Sequence, residues 1–185
     1  MITIGIVSFG FENKRECKKL AQRIKTVTRQ LQSYTHPVIF NRIEAADFNL
    51  NKNDEKEDWI KAISKHDGFV FLIPKHSEGI IDDLSYALGM CSSELANKPL
   101  LVIYYGVEDK YGQQVDIIEM ARSFEMPVLY NSVILPYLDH KRATAFELFQ
   151  QTEDKTASEI EKLLYWTMGM KYTRTMLRQE DNGAS

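Results

Sequence analysis

The sequence predicts an α/β domain with a parallel sheet that is covered by helices on both faces. Five apolar runs have the length of buried strands, and segments with helical periodicity separate them. The clearest unit covers residues 68–99, where the apolar run 68–73 ends at Pro74 and helical spacing starts at Ile80. Together with the apolar run at 100–105 it forms a βαβ unit, and such units close right-handed with parallel strands.

The remaining elements follow from the same two patterns. In chain order, the predicted strands are residues 2–7, 37–40, 68–73, 100–105 and 127–135, and the predicted helices are about 14–31, 55–65, 80–96, 114–124, 143–151 and 156–177. Residues 44–58 are acidic and polar, so they predict an exposed connection and not a pair of catalytic carboxylates. Thr156 and Glu159 predict a capping box at the start of the last helix.

This order of elements favours a flavodoxin-like, doubly wound sheet with the strand order 2-1-3-4-5. Residues 1–138 are expected to form this domain, and residues 139–185 a helical extension that packs on it and ends in a disordered tail. In that strand order, the loops after strands one, three and four border one crevice. These loops, residues 8–13, 74–79 and 106–112, are the predicted functional site.

Charge and composition exclude some classes of partner. The chain has 185 residues and a net charge of −3 at pH 7, which does not favour nucleic acid or an anionic membrane surface. No apolar run reaches membrane-spanning length, and the first strand starts directly after Met1, so we expect no signal peptide. Cys17 and Cys91 form no partner motif, which fits a reducing compartment. We therefore expect a cytoplasmic protein with no nucleic-acid or membrane partner.

The three loops contain none of the common catalytic patterns. They lack a Gly-x-Ser-x-Gly elbow, a Gly-x-x-x-x-Gly-Lys-Ser/Thr phosphate loop and a Gly-x-Gly-x-x-Gly turn. Metal-ligand spacing is absent from the four histidines, His36, His66, His76 and His140. A site without a nucleophile, a base or a metal ion indicates an organic cofactor that carries the reactivity while the protein holds it.

Several short motifs occur together between residues 59 and 99. Trp59 is followed by Asp67-Gly68 and the apolar strand, and then by the loop Pro74-Lys75-His76-Ser77. The next helix contains Leu84-Ser85-Tyr86-Ala87, and Asn97-Lys98-Pro99 precedes the following strand. These motifs resemble the NADPH-dependent FMN reductase family, which includes azoreductase-like and quinone-reductase-like members. The match has no gap from residue 74 to residue 99, and weaker similarity covers residues 1–135.

The resemblance implies bound FMN, with NADPH or NADH as the cosubstrate and a small molecule as the electron acceptor. It implies two-electron hydride transfer through the flavin, no catalytic side chain, no metal ion, and a homodimer or homotetramer. Carried over loop by loop, the cofactor-binding residues are Ser8, Gly10, Asn13, Lys14 and Arg15 for the phosphate, Pro74, Lys75, His76, Ser77, Glu78 and Gly79 for the flavin edge, and Tyr105, Gly106, Tyr111 and Gly112 beside the ring.

Departures from the family pattern leave two alternatives open. The first loop has fewer serines than the family's Gly-Ser-x-Arg-x-x-Ser, His76 replaces a tyrosine, and Ser77 replaces an asparagine. One alternative is a binding or regulatory protein that keeps the flavodoxin-like scaffold but has an eroded flavin site. The other is a transferase of the nucleoside deoxyribosyltransferase type, for which Glu78 is the nearest candidate nucleophile.

Overall fold

The computed structural model describes residues 1–9, 14–30, 37–50, 52–74, 80–107, 113–136 and 145–183. The strands are β1 (Ile2–Ser8), β2 (Val38–Glu44), β3 (Gly68–Pro74), β4 (Leu100–Val107) and β5 (Val133–Pro136). The helices are α1 (Lys14–Gln30), α2 (Asn53–Ser64), α3 (Ile80–Gly89), α4 (Ser92–Leu95), α5 (Gln113–Ser123) and α6 (Ala145–Gly183), with a short 3₁₀ turn at Ala45–Asp47.

The strands form a five-stranded parallel sheet in the order β2-β1-β3-β4-β5. The predicted fold class and strand order are confirmed. β3 and β4 are interior strands, and their apolar sequences fit this position because both faces of each strand are covered by helices.

Two apolar cores lie on the two faces of the sheet. The front core joins β1 and β3 to α2, α3 and α5, and includes Val7, Phe9, Trp59, Phe71, Leu84 and Ile117. The back core joins the other face of the same strands to α1 and α6, and includes Ile4, Ile6, Ile24, Val70, Ile160 and Leu163. Because strand side chains alternate between faces, β1, β2, β3 and β4 supply both cores, whereas the core residues of β5, Val133 and Leu135, lie in the back core.

The observed helices differ from the predicted ones at two places. The helix predicted at 80–96 is interrupted, because α3 ends at Gly89 and the single-turn α4 starts at Ser92. The two helices predicted at 143–151 and 156–177 form one continuous helix, α6, which runs on to Gly183. The capping box is therefore wrong: Thr156 lies inside α6 and its Oγ1 donates to the Thr152 carbonyl at 2.7 Å.

The strand bounds also differ at the sheet edges. On one edge β2 continues to Glu44, four residues beyond the predicted end at residue 40. On the other edge β5 starts only at Val133, and Val128 forms an isolated bridge with Leu100. The predicted division at residue 138 falls in 137–144, outside the described residues, and stays a prediction. Within the described ranges, no helix has both the length and the apolarity needed to cross a membrane.

An ionic anchor fastens α6 to the amino edge of the sheet. Asp67 Oδ2 accepts hydrogen bonds from the Thr3 backbone N–H at 3.0 Å and from Lys171 Nζ at 2.8 Å. Arg174 Nη2 lies 3.4 Å from Asp67 Oδ1, and Arg174 Nη1 donates to the Asn97 carbonyl. Burial alone would raise the pKa of Asp67, but the hydrogen bonds from Lys171 and Thr3 outweigh it and lower that pKa.

Gly68 is where β3 approaches α6 most closely. A Cβ added at this position would lie 2.5 Å from Thr167 Oγ1 and 3.2 Å from the Pro99 carbonyl oxygen. Thr167 cannot move away easily, because it is fully buried and its hydroxyl donates to the Leu163 carbonyl at 2.7 Å. The position therefore requires glycine for packing, at the start of the central strand.

We expect Gly68→Ala to lower the free energy of unfolding by about 1–3 kcal/mol, because the new methyl group overpacks the contact between β3 and α6. Urea denaturation measures the change. In a Thr167→Ala background the same substitution should cost clearly less, because the clashing oxygen is gone. Gly89→Ala is the matched control, since a Cβ there meets nothing within 4 Å. Equal losses at Gly68 and Gly89 would contradict this reading of the packing.

Candidate functional site

The strand order creates a crevice between the carboxyl ends of β1 and β3. After β1 the chain passes to α1, which packs in the back core through Ala21 and Ile24. After β3 it passes to α3, which packs in the front core through Leu84 and Leu88. The two connections leave neighbouring strands toward opposite faces, and ligands of open α/β sheets bind at such a switch point.

Four predicted site residues lie at the carboxyl ends of β1, β3 and β4. Ser8 ends β1 opposite Leu72 of β3, and Pro74 ends β3 opposite Tyr105 of β4. The ends of β1, β3 and β4 are thus neighbours, as the sequence predicts. Tyr105 is partly buried and packs against the back core. Gly106 follows it in β4, where the register with β5 shifts between Tyr105 and Val107.

Ser8 has a hydroxyl group that needs a partner. The residue is 2% exposed, and within the described part of the chain its Oγ has no hydrogen-bond partner. By strand alternation the Ser8 side chain is on the same face as Ile6, which belongs to the back core. Along the chain, α1 starts six residues after Ser8, at Lys14. A buried hydroxyl left unpaired costs about 1–3 kcal/mol, so a polar ligand group at this place would remove that cost.

The other predicted site residues belong to the start of α1 and to the connections after the strands. Lys14 and Arg15 form the first turn of α1. Outside the described residues lie Gly10, Asn13, Lys75, His76, Ser77, Glu78, Gly79, Tyr111 and Gly112.

Glu44 is a candidate site residue that the sequence interpretation missed. The expectation that residues 44–58 form an exposed connection is wrong at its first residue, because Glu44 ends β2 and its side chain is only 8% exposed. It lies directly opposite Ser8 in the register of β1 and β2. A signal for it existed: Ile43, a β-branched apolar residue, lies three positions past the predicted end of β2, and in the structure it is buried on the face opposite to Phe40.

The Glu44 carboxylate is poorly satisfied for a buried charge. Arg42 Nη1 lies 3.3 Å from its Oε1, but among the described residues this oxygen has no partner with hydrogen-bond geometry. By strand alternation Glu44 is on the same face as Phe40, which belongs to the back core. Among the described residues, the face of the sheet toward α1 therefore carries two buried oxygens without a hydrogen bond, the Ser8 hydroxyl and Glu44 Oε1, of which only the second has an ion-pair partner.

Aromatic packing connects the crevice to the front core. Phe9, the residue after Ser8, makes edge contacts with Phe71 at 5.3 Å and with Trp59 at 6.5 Å between ring centroids. Trp59 on α2 is fully buried, and its Nε1 donates to the Ala87 carbonyl of α3 at 2.9 Å. Trp59 thus holds the residue that follows β1 and the helix that follows loop 75–79 in one cluster.

Comparisons with known proteins agree with this architecture. No protein-family model matches the chain. FerB, a flavoenzyme NAD(P)H:(acceptor) oxidoreductase from Paracoccus denitrificans, has a TM-score of 0.63 and 13% identity, over 92% of this chain and 99% of FerB. General stress protein 14 from Treponema denticola, solved in complex with FMN, has a TM-score of 0.54 and 12% identity, over 92% of this chain and 99% of that protein.

One comparison is based on sequence. An NAD(P)H-dependent FMN reductase of Nectria sp, ntnL, is 24% identical over 144 residues, which are 68% of this chain and 69% of that protein. The chain has the flavodoxin-like fold, and its resemblance to the FMN reductases of that fold is confirmed. The crevice between the carboxyl ends of β1 and β3 is therefore the candidate ligand-binding site of this chain.

Proposed function

We propose that this protein is an FMN-dependent NAD(P)H oxidoreductase that reduces a small-molecule acceptor. The similarity to an NAD(P)H-dependent FMN reductase supports FMN with NAD(P)H. The observation that carries the proposal for this chain is the buried Ser8 hydroxyl at the switch point beside α1, which has no hydrogen-bond partner among the residues that the structure describes. Bound FMN would supply the redox chemistry, a two-electron hydride transfer from NAD(P)H to the acceptor.

The end of β1 offers a hydroxyl donor and the positive end of a helix to the phosphate of FMN. Arg42, 3.3 Å from Glu44 Oε1, offsets the carboxylate that lies opposite Ser8. The first backbone N–H groups of a helix are unpaired, and its dipole favours an anion there, so α1 offers such a site at Lys14. The Ser8 hydroxyl would donate to a phosphate oxygen. Gly10, Asn13, Lys14 and Arg15 are the further residues that we assign to the phosphate.

The flavin ring is assigned to the loops after β3 and β4. Pro74 ends β3, and Lys75, His76, Ser77, Glu78 and Gly79 would present polar groups to the ring edge. Tyr105, Gly106, Tyr111 and Gly112 would border the ring from the neighbouring strand. The role of the protein is to bind and orient the flavin and to exclude water. The cytoplasmic location and the homodimeric or homotetrameric assembly stay predictions.

Absorbance spectra of protein purified with and without added FMN test the proposal. We expect a yellow protein that binds FMN in a fluorescence titration and then consumes NAD(P)H in the presence of an acceptor. A protein that stays colourless and takes up no FMN would contradict the proposal and would favour a binding or regulatory function. Base exchange on a deoxynucleoside would favour the transferase.

Ser8→Ala tests the phosphate assignment separately. We expect FMN affinity to fall about tenfold, because a hydrogen bond to a charged phosphate is lost. Affinity for riboflavin, which has no phosphate, should not change. The variant should fold at least as stably as the wild type, because the substitution removes a buried hydroxyl that has no hydrogen bond to any described residue. Ser93→Ala is the control, since Ser93 is exposed on α4. A loss that is equal for FMN and riboflavin would contradict the assignment.

A further inference from the structure

The long helix α6 carries a second apolar stripe on the side that faces away from the sheet. Its inner side packs in the back core through Ile160, Leu163 and Leu164. Four residues at spacings of four, three and four line up on the opposite side, and we call them the outer stripe: Tyr165, Gly169, Tyr172 and Met176. The three side chains of this stripe are 52%, 67% and 43% exposed. Because a helix that is apolar on both sides is normally covered on both sides, the outer stripe indicates an interaction surface.

The charged side chains in this part of α6 are bound on the inner side. Between residues 165 and 176 the charged residues are Lys171 and Arg174, and both contact Asp67 at the amino edge of the sheet. A surface helix usually has the reverse arrangement, with its charges toward water. The outward side of this segment therefore has the composition of an interface core, in which aromatic residues and methionine are enriched and charges are depleted.

Gly169 lies in the middle of the outer stripe and has no packing role in its own chain. A Cβ added there would meet no atom within 4 Å among the described residues beyond its own helical turn. Glycine is the poorest helix former after proline, so its presence inside an exposed helix lowers the stability of that helix. Between Tyr165 and Tyr172 it leaves a hollow that an aromatic ring from another molecule can fill.

We propose that the outer stripe binds the outer stripe of a second copy of this chain, with the two α6 helices antiparallel. A two-fold axis uses the same surface on both copies, so each contact occurs twice. With the axis between residues 170 and 171, Tyr172 of one copy lies opposite Gly169 of the other and fills its hollow. Tyr165 lies opposite Met176, whose thioether makes favourable contacts with aromatic rings. A parallel pairing would set Gly169 against Gly169 and leave the hollow empty.

The exposed apolar area sets the expected strength of this contact. An aromatic side chain presents roughly 150–250 Å², so the exposed parts of Tyr165, Tyr172 and Met176 amount to about 300 Å² per copy. Two copies would bury about twice that area, with the flanks of both helices in addition. Interfaces below about 1,200 Å² are weak or transient. We therefore expect a dimer that dissociates on dilution, and this inference does not depend on the proposed function.

Sedimentation velocity over protein concentrations from about 1 to 300 µM tests the inference. We expect the wild type to change from monomer to dimer in this range. Tyr172→Ala should raise the dissociation constant of the dimer about tenfold or more, because it removes two symmetry-related contacts. Gly169→Leu should also raise it, because the new side chain fills the hollow. Trp166→Ala is the matched control, since Trp166 is similarly exposed on α6 but lies about a quarter turn away from the outer stripe.

A variant that combines Gly169→Leu with Tyr172→Ala tests the register of the two helices. Leucine at position 169 would then face a small residue, so this variant should dimerise more tightly than Gly169→Leu alone. Circular dichroism spectra check that each variant folds. A wild type that stays monomeric at every concentration, whether or not it binds phosphatidylcholine vesicles, would overturn the inference. A dimer that Tyr172→Ala leaves intact, or that Trp166→Ala weakens equally, would overturn it as well.

Discussion

Replacing Trp59 by alanine is expected to lower the free energy of unfolding by about 3–5 kcal/mol, the usual cost of removing a buried large aromatic side chain. Trp59 is fully buried, makes an edge contact with Phe48 at 5.3 Å, and joins α2 to α3 through its hydrogen bond to Ala87. Urea denaturation followed by far-ultraviolet circular dichroism measures the loss. The chain offers a matched control in Trp166, which is 51% exposed on α6. Trp166→Ala should change stability by less than about 0.5 kcal/mol.

Trp59→Phe separates the hydrogen bond from the packing. Phenylalanine retains most of the buried apolar surface but removes the indole donor to the Ala87 carbonyl, which keeps only the weak Cys91 Sγ donor at 3.6 Å. This loss should cost about 1–2 kcal/mol plus a smaller cavity term. Because Trp59 also contacts Phe9, next to Ser8, we expect FMN affinity to fall in this variant although no residue of the crevice has changed. A Trp59→Ala variant as stable as Trp166→Ala would show that the aromatic cluster does not support the fold.

The second large effect is expected at Asp67, which lies at the amino end of β3, away from the crevice at the carboxyl ends of the strands. Asp67→Asn should lower the free energy of unfolding at pH 7 by about 2 kcal/mol, because two cations and a backbone N–H lose their carboxylate partner. The value allows for solvent screening, since the Lys171 side chain is 42% exposed. Asp58→Asn, at an exposed carboxylate on α2, is the control and should change stability little.

The loss at Asp67 should depend on pH in a defined direction. The pKa of Asp67 is lower in the folded protein than its ordinary value, so below about pH 4 the unfolded chain takes up the proton first. The stability that this carboxylate contributes is therefore complete above that pH and declines as the pH falls. Denaturation midpoints at pH 7, 4.5 and 3 should show the difference between wild type and Asp67→Asn shrinking at pH 3. A difference that stays constant over this range would rule out the ionic anchor.

The predictable part of the fold consists of the strands and helices that a short stretch of sequence identifies. The run from Gly68 to Pro74 is apolar because both faces of β3 are buried, so its composition alone indicates a central strand. The helix start at Ile80 is likewise visible in local spacing. The break at Cys91 was not predictable, because apolar side chains continue at helical spacing through it. Burial raises the pKa of the Cys91 thiol to about 12, which fits a packing role for this residue.

The sequence by itself determined the strands and helices, because local spacing of apolar residues identifies both. Their alternation along the chain indicated the parallel sheet, its strand order and the strand ends at which a ligand is expected. Only the tertiary structure decided which polar groups are satisfied. Asp67 meets partners 104 and 107 positions along the chain, and Glu44 faces Ser8 across two strands. Both carboxylates look like ordinary surface charges in the sequence. The environment of a charge depends on what the fold brings opposite it, and no local pattern records that.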